Sequence, residues 1–429
     1  MKKLFFALVA PSLITVFSWS QGQTSKLATK EYASYDYADA AQHFEKMQKS
    51  DITLRSLGDS YYKTQQYGKS EQAYAQLMTS PGVTSQDVAN YISVLLMNEK
   101  YADAITWMGK YSTSYPLDKR YSTYLSNSNT IEKLKTNAGQ FIIRNLDINS
   151  AQQDFGVVFF KDSVVLTSSR EEAKPVKRTW NGNNLPFLDL YAASMSSNGD
   201  LKNPKPFFGI VNKKYHDGPA AFTQNYEVMA FTRNNYDSKS AGGTRKLQIF
   251  ISKAKNDTTS GGHIFYEWTK PEGVPFNSNE YSVGQPAFNS DGTVMYFVSD
   301  MPGGKGGTDL YKVDRNPDGT WGKPQNLGDK INTAGDEMFP FFHSSGLLFF
   351  SSNGHEGLGG LDVFVAKINN GEVGQVKNVG APINSSKDDF SFILNPAMSF
   401  GYFSSNREGG KGNDDIYHFQ LVKPIDFDK

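Results

Sequence analysis

Three segments near the C-terminal end of the chain share one frame and one spacing. Each runs from an apolar strand-like stretch through Ser and a Gly-rich turn to Asp and a second apolar stretch: "FVSDMPGGKGGTDLY", "FFSSNGHEGLGGLDVF" and "YFSSNREGGKGNDDIY". The Asp and the Ser of the frame recur every 53 residues, at Asp309, Asp362 and Asp415 and at Ser299, Ser352 and Ser405. A fixed period of this size, with several short strands in each unit, is typical of propeller blades.

Two degenerate copies precede these three. "DFGVVFFKDSVVLTSSR…LDLYAAS" carries Asp189 at the Asp position, and "GPAAFTQNYEVMAFTRNN…LQIFISK" carries Gln248 there. The predicted inner strands begin near Phe155, Ala220, Pro286, Phe339 and Phe390. The sequence therefore predicts a five-bladed β-propeller. Six blades are the alternative, if another degenerate copy lies within residues 238–283.

The closure of the ring can also be predicted. "NLDINS" at 145–150 matches the segments "NLGDKINT" and "NVGAPINS" that lead from one blade to the next, but it stands before the first blade. The last blade lacks such a segment. The strand "QFIIR" before Asn145 is therefore expected to pair with the last blade, which hides the edge strands. This assigns residues 139–425 to a WD40-like propeller with an N-terminal closing strand and leaves 426–429 as a tail.

Residues 21–130 carry helical periodicity instead. Leu57, Gly58 and Tyr74 stand in the tetratricopeptide pattern, and Met108 follows Tyr74 by 34 residues, the period of that repeat. An earlier copy, "YDYADAAQHFEKM", brings the count to about three repeats, enough for a stable stack. The predicted fold class is a multidomain α plus all-β chain: tetratricopeptide helical repeats, a linker at 131–138, then the propeller.

One helix face of the middle repeat is a candidate partner site. Helical phase places Arg55, Asp59, Tyr62 and Lys63 on the face that lines the concave groove of such a stack. The functional interpretation is a peptide-docking groove in which Arg55 and Lys63 pair with carboxylates of a protein partner. An ordinary solvated helix face is the alternative.

The first twenty residues have the pattern of a cleaved export signal. Lys2 and Lys3 precede an apolar stretch, and the small residues Ser18 and Ser20 suit cleavage before Gln21. The chain contains no cysteine. Export without cysteine fits a Gram-negative periplasm or the surface of the outer membrane, so we expect a periplasmic protein.

Composition excludes several classes of function. Lys and Arg total 44 and Asp and Glu total 44, which argues against nucleic acid as a partner. The absence of cysteine excludes zinc–thiolate and iron–sulfur sites, and the six histidines are scattered. The turn "GGKGGTD" leads into no helix, so it lacks the amide cradle of a phosphate loop, and its Asp is expected to cap turn amides. The sequence predicts no cofactor, no metal and no catalytic residue.

The blade frame at Ser299–Tyr311 and Ser404–Tyr417 resembles the WD40-like repeats of TolB-type propellers. An export signal, helical repeats and a propeller with "IN[ST]" junctions together resemble the periplasmic OmpA-family proteins of Bacteroidetes, which include the PorE-type component of type IX secretion and gliding. The resemblance implies a non-enzymatic scaffold at the inner face of the outer membrane that binds a PorP/SprF-type β-barrel and other secretion components. Family members usually continue into an OmpA-like domain, so the resemblance implies peptidoglycan as a partner only if such a domain exists.

Two other functions remain open from the sequence. One is a binding module for a glycan or a peptide in the central mouth of the propeller, because propeller mouths are concave and commonly hold ligands. The other is a glycoside or peptide hydrolase. The sequence indicates no particular site residues for either function.

Overall fold

The computed structural model describes residues 24–127, 129–136, 139–170, 178–208, 210–258, 264–369 and 371–425. They form two compact units: unit 1 holds the residues up to Asn98 together with Thr179–Leu185, and unit 2 holds Glu99–Arg178 and Pro186–Lys429. The predicted export signal at 1–20 and the predicted tail at 426–429 lie outside the described residues. Within the described ranges, no helix has both the length and the apolar character that a membrane span requires.

Unit 1 contains α-helices, two of which begin at capping side chains. The described helices are α1 (24–33), α2 (Tyr37–Glu45), α3 (Asp51–Lys63), α4 (Tyr67–Leu77) and α5 (Ser85–Met97). Ser50 caps α3 by accepting the Thr53 amide, and Thr84 forms a capping box with Asp87 at the start of α5. Small and aromatic residues share the core, which comprises Ala28, Ala40, Ala41, Phe44, Leu57, Tyr61 and Ala73.

Three further helices belong to unit 2, and the last two of them contact the propeller. They are α6 (Tyr101–Ser114), α7 (Ser122–Ser126) and α8 (Thr130–Lys135), so the predicted linker at 131–138 falls partly on α8. The Tyr124 hydroxyl donates to the Gly357 carbonyl and accepts from the Gly357 amide, each at 2.6 Å. The Ala381 amide donates to the Leu134 carbonyl at 2.9 Å. These bonds fasten the helical segment to blades 4 and 5.

The rest of unit 2 is a five-bladed propeller of antiparallel sheets, as predicted. With strands given from the axis outward, blade 1 is β2 (Asp154–Phe160), β3 (Ser163–Ser168), β4 (Asp189–Met195) and β5 (Leu201–Pro206), and blade 2 is β6 (Asp217–Phe222), β7 (Val228–Asn234), β8 (Leu247–Thr258) and β10 (Glu272–Gly273). Blade 3 is β11 (Val283–Phe288), β12 (Val294–Ser299), β13 (Asp309–Asp314) and β14 (Gln325–Asn326), and blade 4 is β15 (Glu337–His343), β16 (Leu347–Ser352), β17 (Asp362–Asn369) and β18 (Glu372–Asn378). Blade 5 is β19 (Asp389–Leu394), β20 (Phe400–Ser405), β21 (Asp415–Leu421) and β1 (Phe141–Asn145). β9 (Ile264–Trp268) pairs with the far end of β8. The six-blade alternative is wrong, because residues 238–283 supply β8, β9 and β10 to blade 2.

Apolar contacts close the ring on every side. β1 pairs with β21 from Phe141 opposite Leu421 to Asn145 opposite Tyr417, the pairing that the position of "NLDINS" predicts. Five buried clusters lie at the five contacts between neighbouring blades. The second strand of each blade is buried on both faces, which is why "VMYFVS" and "LLFFSS" are almost continuously apolar.

One asparagine per blade fixes the step to the next blade. The asparagine side chain makes two hydrogen bonds, of 2.7–3.0 Å, to one residue near the start of the third strand of a blade. Its oxygen accepts from the backbone amide of that residue, and its nitrogen donates to the backbone carbonyl of the same residue. That residue is the second of the third strand, except in β8, where it is the third. The pairs are Asn212 with Leu190, Asn277 with Ile249, Asn332 with Leu310, Asn384 with Val363 and Asn149 with Ile416. Asn149 precedes blade 1 but binds blade 5, so this bond also joins the two ends of the propeller.

Replacing one of these asparagines is expected to destabilise unit 2 strongly. Asn332→Ala leaves the buried amide and carbonyl of Leu310 without this partner, so we expect the free energy of unfolding to fall by about 2–4 kcal/mol. Urea unfolding measures the change. Asn316→Ala is the matched control, because the exposed side chain of Asn316 donates to the Thr320 hydroxyl in a surface turn, and it should change stability by less than about 0.5 kcal/mol. Equal losses in the two variants would contradict the role of the junction asparagine.

Candidate functional site

Every innermost strand carries a β-bulge near its start. The pairing with the second strand shifts register in all five blades, between Phe155 and Val158 in the first and between Phe390 and Ile393 in the last. The bulge residues with positive φ, from 51° to 115°, are Gly156, Gly218, Gln285, Phe339 and Ser391. A bulge of this kind turns a side chain that would otherwise lie against the neighbouring sheet. In blade 4 the bulge residue is Phe339, whose ring lies at the central axis.

Three phenylalanine rings meet across that axis. Phe155 of blade 1 packs on Phe390 of blade 5 and on Phe339 of blade 4, with ring centroids 5.8 and 6.3 Å apart. Phe339 and Phe390 lie 4.8 Å apart. Blades 1 and 4 are not neighbours in the ring, so a contact between Phe155 and Phe339 crosses the central channel. The three rings therefore fill the channel near the start of the inner strands.

Beyond these rings, a cavity of about 470 Å³ opens at the C-terminal ends of the inner strands. Phe339 lies at its inner end, and all five inner strands contribute to its walls. Its half-buried aromatic side chains are Phe159, Phe222, Tyr226, Phe339, Phe341, Phe342 and Phe400. Its polar rim includes Lys161, Thr223, Gln224, Ser290 and Ser344. Within the described part of the chain, no Asp or Glu lines this cavity.

Two polar side chains are held in place inside the cavity. The Gln285 side-chain oxygen accepts the Phe339 amide at 2.7 Å, and its own backbone amide donates to the Thr232 hydroxyl at 2.7 Å. The Gln285 side-chain nitrogen has no protein partner among the described residues, so it is a donor available to a ligand. His343 lies between two turns, with Nδ1 accepting the Ser345 amide at 3.1 Å and Nε2 facing the Asn395 carbonyl at 3.2 Å. Burial lowers the pKa of His343, so the neutral ring is favoured.

The opposite end of the inner strands holds buried carboxylates. Asp154, Asp217, Glu337 and Asp389 begin four of the five inner strands, and all four are fully buried. The three aspartates bond an arginine: Asp154 to Arg170, Asp217 to Arg233 and Asp389 to Arg407. Among the described residues, Glu337 accepts hydrogen bonds from Thr333 and Ser352 alone, and burial raises its pKa to about 7. Burial also raises the pKa of Asp217, to about 6, against the opposing charge of Arg233.

These carboxylates stabilise the starts of the inner strands. Each accepts the amide of the residue four positions earlier in the junction, for example the Ser150 amide on Asp154 and the Thr333 amide on Glu337. They are thus bonded at the start of the strand, whereas the cavity lies at its end. The arrangement in the cavity provides aromatic surfaces and neutral hydrogen-bonding groups, which suit binding of an uncharged polar ligand. Within the described ranges, no three His, Asp or Glu side chains converge as a metal site.

The blade-turn residues singled out in the sequence flank the turns between the second and third strands: each Ser ends a second strand and each Asp begins a third strand. Asp309 accepts the amides of Lys305 and Gly306, and Asp362 those of Leu358 and Gly359. Asp415 accepts the amides of Lys411 and Gly412. The Ser299 hydroxyl donates to the Ser282 carbonyl, Ser352 donates to Glu337, and Ser405 accepts from the Arg407 amide. All six side chains are buried, and their bonds stabilise the blades.

The predicted groove residues have mainly internal contacts in unit 1. Arg55 forms a two-pronged ion pair with Asp87, Nε to Oδ1 at 2.6 Å and Nη2 to Oδ2 at 2.7 Å, which joins α3 to the start of α5. Asp59 accepts the hydroxyls of Tyr32 and Tyr74. Tyr62 packs edge-on against Tyr67, and Lys63 is exposed. The structure thus does not leave Arg55 available as a carboxylate partner, and the docking groove stays a prediction.

The sequence assigned no residue of the cavity to a functional site, although a signal was present. Proline follows the bulge residue in three inner strands, at Pro219, Pro286 and Pro340. Proline inside a strand marks an edge or a bulge. An aromatic residue then follows within three positions, in "GPAAF", "QPAF" and "FPFF". The recurrence of proline and aromatic residues at the same place in successive blades could have indicated an aromatic central mouth.

No protein-family model and no curated protein sequence matches the chain. Solved structures with a similar chain course include Zg3597, a family 117 glycoside hydrolase of the marine bacterium Zobellia galactanivorans, at 12% identity over 67% of this chain and 92% of that chain, with a TM-score of 0.40. A GH43_1 enzyme from Xanthomonas citri matches at 11% identity, 69% and 94% coverage, and a TM-score of 0.40. CoXyl43, a GH43 β-xylosidase/α-arabinofuranosidase from a compost microbial metagenome, matches at 10% identity, 66% and 96% coverage, and a TM-score of 0.41.

This comparison corrects two predictions made from the sequence. The similar structures are glycoside hydrolases, which contradicts the predicted non-enzymatic scaffold for type IX secretion or gliding. The prediction that the chain is not an enzyme is wrong on the same finding. At these identities and TM-scores the likeness assigns neither a substrate nor a catalytic residue to this chain.

The buried Glu337 predicts a specific dependence of stability on pH. Its folded pKa of about 7 lies above the ordinary value of 4.5, so the folded state holds the proton more tightly than the unfolded chain. Its contribution is therefore fully present below pH 4.5 and is lost as the pH rises through about 7. Relative to Glu337→Gln, the wild type should lose about 1–3 kcal/mol over that window, measured by urea unfolding at each pH. Glu372→Gln, at an exposed position of β18, should follow the wild-type curve.

The ion pair of Arg55 predicts that this residue stabilises unit 1. Arg55→Ala leaves Asp87, which is buried, without its charged partner, so we expect a loss of about 2–4 kcal/mol in the unfolding free energy of the helices. Thermal unfolding followed by far-UV circular dichroism checks this. Lys63→Ala, on the exposed end of the same helix, should shift stability by less than about 0.5 kcal/mol. An unchanged midpoint in Arg55→Ala would show that the pair contributes nothing to the helices.

Proposed function

We propose that the propeller binds a glycan in the central cavity. The observation that carries the proposal is the lining of that cavity: half-exposed aromatic rings from four of the five blades, with neutral hydrogen-bonding groups between them. The cavity is bounded by inner strands whose backbone is fixed by bulges and by bonds to neighbouring blades. A ligand would therefore meet a largely preformed surface, which lowers the entropic cost of binding.

The chemistry of the lining suits a sugar. A pyranose ring presents apolar C–H faces and a rim of hydroxyl groups. Aromatic rings can pack against the C–H faces, and amide and hydroxyl side chains can hydrogen-bond the sugar hydroxyl groups. Phe222 and Tyr226 lie beside the polar groups of Thr223 and Gln224 in one turn, and Gln285 offers a donor from the inner wall. Lys161 is the charged side chain of the lining among the described residues, so a largely uncharged ligand fits better than a phosphate or an acidic peptide.

The remaining sequence-based expectations stay proposals. We propose that α1–α6 form tetratricopeptide repeats, which is supported by close packing at small residues: a Cβ atom added at Gly58 would lie 2.7 Å from the Tyr74 ring. Export to the periplasm and membership of the OmpA-type family rest on the sequence motifs. An outer-membrane β-barrel partner likewise stays a prediction.

Glycan binding by the cavity can be measured directly. Isothermal titration calorimetry with the full chain would use xylo-, arabino-, cello- and chito-oligosaccharides of two to six units. We expect at least one series to bind, and we expect Tyr226→Ala to weaken that binding about tenfold because a ring surface of the mouth is lost. Tyr226→Phe keeps the ring and should stay within about twofold of the wild type.

The controls separate binding from folding. Ile142→Ala removes an exposed apolar side chain on β1, outside the cavity, and should leave affinity and stability unchanged. Tyr226→Ala must retain the wild-type unfolding midpoint within a few degrees for its affinity to be interpreted, since Tyr226 packs edge-on against Phe160. Absence of binding by every oligosaccharide at millimolar concentration would overturn the proposed function.

A further inference from the structure

A second concavity lies beside the central cavity, between blades 2 and 3. Its volume is about 690 Å³, and its walls come from the turns that follow β6 and β11 together with the ends of β8 and β13. Thr223, Gln224 and Ser290 line both spaces. Because these residues are shared, the central cavity and this outer basin adjoin, with the basin on the side away from the axis.

The walls of the outer basin are braced by side-chain bonds to the backbone. The Thr223 hydroxyl accepts the Val228 amide at 3.1 Å and donates to Asn225 at 2.8 Å. In the facing turn, Asp291 accepts the Thr293 amide at 3.0 Å, and Asn289 accepts the Val294 amide at 2.9 Å. Hydrogen bonds within each turn thus hold its conformation, and the basin keeps its shape without a ligand.

The chemistry changes from the cavity to the basin. The central cavity is aromatic, whereas the basin is lined by polar and charged side chains: Asn225, Glu227, Lys253, Asp291 and Arg315. The Arg315 guanidinium lies 5.9 Å from the Trp321 ring centroid, and its Nε donates to the Gly319 carbonyl at 3.4 Å, which orients its outer nitrogens. Two carboxylates and two cations give the basin no net charge. It offers both donors and acceptors, which is what the hydroxyls of a neutral sugar require.

We propose that the outer basin is a second sugar subsite and that the ligand is an oligosaccharide. Its first units occupy the aromatic cavity, and the chain continues between blades 2 and 3, where Lys253 and Arg315 donate hydrogen bonds to hydroxyl groups of the later units. The inference rests on the proposed function, and it adds a direction for the chain and a minimum length. The absence of net charge in the basin argues for a neutral oligosaccharide over a polyanion.

The test compares short and long ligands in the same titrations of the full chain. We expect the six-unit oligosaccharide of the series that binds to have at least tenfold higher affinity than its two-unit form. The double variant Lys253→Ala/Arg315→Ala should reduce this ratio to threefold or less while the affinity for the two-unit ligand stays unchanged. Lys202→Ala/Lys205→Ala removes two exposed lysines from β5, outside both spaces, and should keep the wild-type ratio.

The outcomes distinguish the two proposals. Equal affinity of the wild type for the two-unit and six-unit ligands overturns the outer subsite and leaves glycan binding by the cavity standing. A wild-type ratio that persists in Lys253→Ala/Arg315→Ala overturns it as well. A loss of affinity for the two-unit ligand in that variant would place the first units in the basin and contradict the proposed direction. No binding by any ligand overturns the proposed function itself.

Discussion

The bond between one asparagine side chain and the third strand of each blade is the constraint on which the propeller depends. A carboxamide has the same donor and acceptor as a peptide group, so it can occupy the outer edge of a strand as a further strand would. Asn332 does this for Leu310, and the acidic residue five positions later begins the next inner strand. The junction therefore sets both the end of one blade and the start of the next. Asn149 makes the same bond across the closure of the ring.

The shape of the central cavity follows from the fixed positions at which the inner strands start. Bonds from the junction hold the acidic start of four of the five inner strands, and the bulge residue with positive φ follows that acid by one or two positions. Non-glycine residues in the left-handed region cost about 1–2 kcal/mol each, and Gln285, Phe339 and Ser391 occupy it here. That cost is offset by the packing around them, such as the contact of Phe339 with Phe155 and Phe390. The result is a filled channel at one end and an aromatic cavity at the other.

The prediction of a non-enzymatic scaffold was wrong for a physical reason. The blade frame, the junction motif and the helical repeats specify architecture, and the residues in them form turns and caps rather than a reactive site. Asp309 and Asp415 bond turn amides, and Arg55 bonds Asp87 within the helices. A motif that is repeated because it builds the fold carries little information about the ligand. The residues that line the central cavity do not recur as a fixed motif, because only their types, proline and aromatic, are shared between blades. In the sequence such residues look like those of a hydrophobic core.

The sequence was enough to predict a ring of five blades, with six as the alternative, and its closing strand, because a fixed period and a displaced junction segment allow few ways to bury the same apolar runs. It also indicated helical packing in the N-terminal region through the spacing of small and aromatic residues. Only the tertiary structure decided which aromatic side chains face the axis and which face the next blade. Alternation along a strand predicts one face or the other, but a bulge reverses it, and its place depends on bonds such as that of Gln285 to Thr232, 53 residues away in the chain.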